Sequence, residues 1–303
     1  MWPVEVLSRP YYRHRPRQVA LRLLRALLPA APIQEVTLPW GLRMKIDINE
    51  MLGTSVWQTG VFDIAVSEAI WRLLRPGDLA VDVGANIGYM TGIMAARVGV
   101  AGRVLAFEPH PRIGAELERN LELFRRSGKV GEIRFFPVAL SSRSGTSTMV
   151  DGAGFAENHG LARLVGEQEG DGGARVETRR LDELLPENEV VALMKLDVEG
   201  HEEEVLRGAE EVLHARRVRS IVYEDHNGPG SRVHALLADL GYRIRSLGWS
   251  THGLVLGPVD AVVAKPFEAP SFLATLEPAE TIQRLLEPGW QVLGGRLAGE
   301  AGA

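Results

Sequence analysis

The chain has 303 residues, 45% of them apolar and 24% charged, so it can bury a large core, and disorder over most of its length is excluded. Its formal net charge of −5 argues against an overall electrostatic grip on nucleic acid, and no nucleic-acid partner is expected. There is no cysteine, which removes disulfides, thiol catalysis and thiolate metal sites together; any catalysis uses oxygen or nitrogen groups, or a cofactor.

Residues 1–60 read as an N-terminal helical and β extension that opens with a basic run containing Arg9, Arg13, Arg15, Arg17, Arg22 and Arg25. Leu21, Leu24, Leu27 and Leu28 recur at helical spacing and predict one apolar stripe docked on the body of the protein. Contact with an anionic membrane or a partner is the competing reading. The apolar stretch from Val19 to Ile33 is broken by Arg22, Arg25, Pro29 and Pro32 and cannot cross about 30 Å of hydrocarbon. The cytoplasm is the expected location, and a homo-oligomer is admissible.

Residues 61–266 carry short β-branched runs alternating with helical segments, the pattern of an α/β fold with a mostly parallel sheet and crossover helices. Strands are predicted near Leu79–Val83, Arg103–Phe107, Ile133–Val138, Val191–Leu196 and Arg219–Tyr223, and helices over Met90–Val98, Pro111–Arg125, Glu202–Leu213 and Val233–Leu240. Tyr242–Leu247 and Val259–Ala264, with no helix between them, read as a C-terminal antiparallel hairpin at one sheet edge. Residues 141–180 form a Gly-rich insertion, too long for a plain crossover and expected to be a mobile, substrate-facing lid. Phe155, Asn158, His159 and Leu161 within it are candidate acceptor contacts. Residues 267–303 read as a tail with one amphipathic segment, Glu280–Leu286.

The strongest local signal is Val81-Asp82-Val83-Gly84-Ala85-Asn86-Ile87-Gly88-Tyr89, where the first parallel strand meets its helix. Gly84 and Gly88 let the backbone bend and approach a ligand with no Cβ in the way. The spacing is not G-x-G-x-x-G, and no G-K-[ST] follows to hold a triphosphate. Asp82 suits an ammonium group on the ligand and would repel a phosphate. Glu108, in Phe107-Glu108-Pro109 at the end of the second strand, is placed to accept the two hydroxyls of a ribose. A nucleoside that carries a cationic amino acid and lacks a pyrophosphate satisfies both conditions, and S-adenosylmethionine is such a molecule.

These residues, with Val138-Ala139-Leu140-Ser141 and with Lys195-Leu196-Asp197-Val198-Glu199-Gly200 followed by Glu202 and Leu206-Arg207-Gly208-Ala209, resemble the FkbM family of S-adenosylmethionine-dependent methyltransferases. The resemblance covers roughly Glu68 to Lys265. It implies a Rossmann-like class I methyltransferase fold closed by the late hairpin, and methyl transfer to a hydroxyl oxygen. By position it places Asp82, Gly84, Ala85, Asn86, Gly88, Tyr89, Glu108 and Ala139 at the cofactor.

Ligands of an open α/β sheet bind beyond the carboxyl ends of its strands, so Asp197 and Glu199 emerge beside the reacting group. They could hold a divalent cation such as Mg with waters, orient a substrate hydroxyl, or take its proton. Otherwise Asp197 caps the next helix and Glu199 pairs with Lys195 or an arginine. His226, after the fifth strand, titrates near neutral pH and is the candidate base, whereas His201 is expected to face solvent. No Asn/Asp-Pro-Pro-Tyr follows the fourth strand, which favours oxygen acceptors. A short-chain dehydrogenase would need a Tyr followed about four residues later by Lys, and Tyr223 is followed by acids. The expected function is methylation of a small-molecule hydroxyl on a sugar, a polyketide or another secondary metabolite; the alternative is a non-catalytic subunit that binds a partner through its N-terminus and insertion.

Overall fold

The computed structural model describes residues 9–27, 30–165, 173–260 and 270–294. Helices α1 (Pro10–His14) and α2 (Pro16–Leu27) lead into an antiparallel pair, β1 (Ile33–Thr37) and β2 (Arg43–Asp47), and then α3 (Met51–Thr59) and α4 (Ile64–Leu73). This extension is built into the main core: Trp40, Leu42, Met44 and Ile46 are buried in one apolar cluster with Ile70, Ile93 and Leu121. Asn120 fastens it, binding both the amide and the carbonyl of Lys45 and the carbonyl of Ile87.

Of the leucine stripe expected to dock α2, Leu21 and Leu24 are exposed; the Leu27 side chain and Leu28 lie outside what the structure describes. Docking falls instead to the other face. Gln18 is buried there, Arg22 reaches the Tyr12 hydroxyl, and the Arg25 guanidinium lies 3.7 Å over the Trp57 ring. Long arginines cover apolar surface with their stems and stack on aromatic rings, so a pattern of leucines alone misjudges which face is inward.

The central sheet continues with β3 (Leu79–Val83), α5 (Tyr89–Val98), β4 (Arg103–Phe107), α6 (Pro111–Arg126) and β5 (Glu132–Phe136). The insertion follows as β6 (Ala139–Leu140), β7 (Gly145–Asp151), a 3-10 turn (His159–Leu161), β8 (Ala162–Val165) and β9 (Ala174–Arg179). Then come α7 (Leu181–Leu184), β10 (Val191–Leu196), α8 (Glu202–Arg207), α9 (Glu210–His214), β11 (Val218–Glu224), α10 (Arg232–Asp239), β12 (Arg243–Ser250), β13 (Gly253–Gly257), β14 (Ser271–Thr275) and α11 (Pro278–Leu285).

Among the described residues the sheet has eight strands in the order β13-β12-β14-β11-β10-β3-β4-β5. Strands β5, β4, β3, β10 and β11 are parallel, and β14 runs antiparallel between β11 and β12. Side-chain alternation splits the core into two layers: Ala80, Val104, Leu193 and Val222 face one cluster, and Val81, Leu105, Met194 and Ile221 face the other.

Three expectations are corrected here. The edge hairpin is β12 with β13, because the chain turns back at residues 251–252; most of the predicted partner Val259–Ala264 lies outside the described residues. The segment read as a tail supplies β14, whose five residues are all buried between two other strands. The insertion over residues 141–180 carries three strands, β7, β8 and β9, which form a second sheet with β6 in the order β6-β9-β7-β8; the Gly-rich spacing masks strands that are polar because one face is wet.

Register sets the site. Val83 pairs with Phe107 on one side and Leu196 on the other, and Leu196 pairs with Tyr223, so four strands end in one row. The segments that follow them, beginning at Gly84, Glu108, Asp197 and Asp225, meet above the switch point between β3 and β10, where open α/β sheets bind ligands.

Candidate active site

Gly84 takes φ +76° and Gly88 φ +92°, in the left-handed region where a side chain is strained. A Cβ at Gly84 would overlap the Asp197 carbonyl oxygen, and one at Gly88 would run into Leu117. The amides of Gly84 and Ala85 donate to the Phe107 carbonyl, and the Asn86 amide donates to Glu108 Oε2 at 3.0 Å. Glu108 Oε1 accepts from the His110 amide at 2.9 Å. Glu108 is 6% exposed, and burial raises its carboxyl to about 7 even though these two amides favour the charged form.

Glu108 lines a cleft with Asn86, Ile113, Val138, Ala139 and Leu140, roofed from the insertion by Met149, Ala162 and Leu164. Its volume is about 80 Å³, small beside the ~300–1,000 Å³ typical of ligand pockets, so a nucleoside here lifts the roof or extends into the space beyond. That space is a cavity of about 740 Å³, walled by the N-terminal extension, the turn 158–161, and the ends of β10, β11 and β12. Asn86, Gly160, Asp197 and Glu199 line both.

Asp82 lies beneath this surface and lines neither space. The ammonium it faces is that of Lys195, 3.7 Å away, and its other oxygen accepts from the Thr91 hydroxyl at 2.5 Å. Burial raises the Asp82 carboxyl, with Lys195 opposing. Lys195 was missed as a site residue. Its Nζ donates to the Gly84 carbonyl at 2.8 Å and sits 3.2 Å from Asp197 Oδ2. Burial works against its charge, but Asp197 and Asp82 outweigh burial and hold it above the usual lysine range. The available signal was a single charge inside the apolar run of β10.

Asp197 caps no helix. The turn 198–200 is held by Glu202, whose Oε1 accepts from the amides of Val198 and Gly200, and this leaves Glu199 at φ +53°. Glu199 pairs with His226 at 3.8 Å rather than with Lys195. Burial, then Asp197, raises Glu199 to about 7. Glu224, also in the cavity wall, is raised by burial and by Asp197.

Tyr89 faces the large cavity, not the cleft; its hydroxyl accepts from the Phe62 amide and its ring packs on Trp40. His201 turns inward to the cleft and meets the Ser141 hydroxyl at 2.9 Å, contrary to the solvent-facing expectation. Of the four insertion candidates, Asn158 and Leu161 line the cavity, and His159 lines the cleft. Phe155 lines neither, because it is buried between the rings of His110 and His159.

A metal ion does not fit the acids after β10. Among the described residues no group of three or more His, Asp or Glu side chains is placed to hold one, and the Lys195 ammonium beside Asp197 would repel a cation. The chemistry of the cleft lining, though not its present volume, suits S-adenosylmethionine. Among the described residues the cleft offers a buried carboxylate suited to a ribose, apolar side chains suited to a base and a His159 nitrogen with no hydrogen-bond partner, with no lysine or arginine in its wall to call for a phosphate.

The mostly parallel sheet with its β3–β10 switch point is compatible with the S-adenosylmethionine-dependent methyltransferases, the class that the sequence comparisons define. The chain belongs to their FkbM family: the Methyltransferase FkbM domain matches residues 82–244. It is 34% identical over 194 residues to "Methyltransferase sdnD" of Sordaria araneosa, covering 54% of this chain and 73% of that one. It is likewise 34% identical over 202 residues to "31-O-demethyl-FK506 methyltransferase FkbM" of Streptomyces tacrolimicus, covering 56% and 75%. A third relative, "2-O-methyltransferase NoeI" of Sinorhizobium fredii, is 29% identical over 167 residues, covering 50% and 66%. No helix among the described residues is long and apolar enough to cross a membrane.

Proposed function

We propose that the protein methylates a hydroxyl oxygen of a small molecule, a sugar, a polyketide or a similar metabolite, held in the large cavity. One observation carries the reading: Asn86, Gly160, Asp197 and Glu199 belong at once to the cofactor cleft and to the cavity, so a nucleoside on one side and an alcohol on the other meet at these two acids. The names of two relatives, a 31-O-demethyl-FK506 methyltransferase and a 2-O-methyltransferase, support oxygen as the acceptor atom.

The cofactor supplies a methyl carbon on a sulfonium, activated for in-line displacement. Asn86, Glu108 and Ala139 would hold it in the cleft; the sulfur would leave with its electron pair as the acceptor oxygen takes the methyl group, and the hydroxyl proton would go to a protein base. Glu199, raised to about 7, matches this task at neutral pH. His226, more than half exposed and 3.8 Å from Glu199, passes the proton on to water. Asp197, 3.2 Å from the Lys195 ammonium, orients the hydroxyl. Alignment of the two reactants contributes most of the rate, on the order of 7–11 kcal/mol.

Asp197→Asn and Glu199→Gln test this. Turnover falls more than about tenfold while affinity for S-adenosylhomocysteine changes less than about twofold. Unchanged turnover in both would remove the acids from the reaction.

A further inference from the structure

We infer that His159 is a specificity-determining contact for the nucleoside part of the cofactor, made to a ribose hydroxyl; this rests on the assignment of the cleft to that cofactor. His159 lines the cleft, is 4% exposed, and its Nδ1 is buried with no hydrogen-bond partner among the described residues. A buried nitrogen left without a partner loses its hydration for nothing, so native structures rarely keep one unless a ligand supplies the missing bond.

The ring is held in place. It packs on Phe155 with centroids 5.2 Å apart, and Phe155 packs on His110 at 4.9 Å. His110 is fixed in turn: its Nδ1 accepts from the Ile113 amide, which leaves Nε2 to donate to Asp151 at 3.0 Å. The backbone is pinned as well, since Asn158 Oδ1 accepts from the Gly160 amide at 2.9 Å and the Glu157 carbonyl accepts from the Met51 amide at 2.8 Å. The second bond ties the turn to the N-terminal extension.

Its neighbours say which part of the ligand it meets. Gly160, next in sequence, lies against Glu199 at the reacting end. At the other end of the ring stack, the His110 amide donates to Glu108, the carboxylate placed for the ribose. Between those two acids a nucleoside presents its sugar. Both Glu108 oxygens already accept an amide, so His159 brings hydrogen-bonding capacity that Glu108 has partly spent.

Titration calorimetry with S-adenosylhomocysteine and its 2′-deoxy and 3′-deoxy analogues, on the full chain and on His159→Phe, tests the inference. The phenylalanine ring keeps the stack and removes the nitrogens. The expected result is about tenfold weaker binding of S-adenosylhomocysteine, no loss for the analogue lacking the contacted hydroxyl, and a melting temperature of the free protein that holds or rises. Equal affinity for S-adenosylhomocysteine overturns the inference, and so does an equal loss for all three ligands, which would place the contact on the base or make the role structural. If the phenylalanine variant does not fold, His159→Gln against His159→Leu gives the same comparison: Gln retains affinity and Leu loses it, and equal affinities overturn the inference. A parent protein that does not bind S-adenosylhomocysteine would remove the cleft assignment itself and this inference with it, whereas binding by the parent with no effect of substitution removes His159 alone.

Discussion

Lys195 holds its ammonium 3.2 Å from the Asp197 carboxylate, two residues further along the same chain and just past the end of β10. The same nitrogen donates to the Gly84 carbonyl, so one buried cation joins the glycine turn after β3 to the acidic turn after β10. Lys195→Met leaves Asp82 buried without its counter-charge and is expected to cost about 3–5 kcal/mol in urea denaturation. Adding Asp82→Asn restores part of that loss, because the uncompensated carboxylate is then gone. A lysine variant as stable as the parent would contradict this role.

Glu199 sets a pH dependence. Burial and the neighbouring Asp197 raise it to about 7, so it is ionised, and able to accept a proton, only above that pH. The rate of methyl transfer is expected to climb as pH passes through about 7 and to level off above it. In Glu199→Gln the rate falls by about 10²–10⁴-fold and the limb disappears. An unchanged limb in that variant would assign the titration to another group.

Gly84→Ala and Gly77→Ala separate two costs. Both glycines have positive φ, +76° and +90°, and an alanine at either pays about 1–2 kcal/mol for the left-handed conformation. Of the two, only at Gly84 does the added Cβ also meet backbone, the Asp197 carbonyl; at Gly77 no atom of the described residues lies within 4 Å. Gly84→Ala is therefore expected to be the less stable variant in denaturation and to weaken S-adenosylhomocysteine in calorimetry, with Gly77→Ala binding as the parent does. Equal behaviour of the two would mean that the turn yields freely.

Glu108 links the cofactor cleft to acid stability. Its folded value of about 7 lies above the ordinary 4.5, so the folded state holds the proton more tightly than the unfolded chain does. Its contribution is fully present below about 4.5 and is lost as pH rises through about 7, with a ceiling of about 3 kcal/mol. Melting curves from pH 5 to pH 8 are expected to show this decline in the parent and less of it in Glu108→Gln, which also binds S-adenosylhomocysteine more weakly. A decline of the same size in the variant would refute the assignment.

Local pattern carried the parallel half of the fold: β3, β4 and β10 fall where β-branched and apolar runs predict them, because strands buried on both faces read as continuous apolar segments. It did not carry β14. Ser271–Thr275 is short, and its place between β11 and β12 depends on pairing with residues about 50 and 30 positions away, which no local periodicity encodes. The site divides the same way. That Gly84, Glu108, Asp197 and Glu199 line one cleft was legible from motif spacing, since each follows a strand end that register aligns. The inward turn of His201 depends on Ser141, the burial of Phe155 on His110, and the partner of Asp82 on Lys195, all contacts between distant segments.

The central claim is that the methyl group moves to an oxygen. Incubation of the full chain with methyl-¹³C S-adenosylmethionine and a panel of sugar and polyketide alcohols, followed by carbon NMR of the products, tests it most directly. The account predicts a labelled methoxy carbon, formed by the parent and lost in Glu199→Gln. A label found on nitrogen or carbon would contradict it.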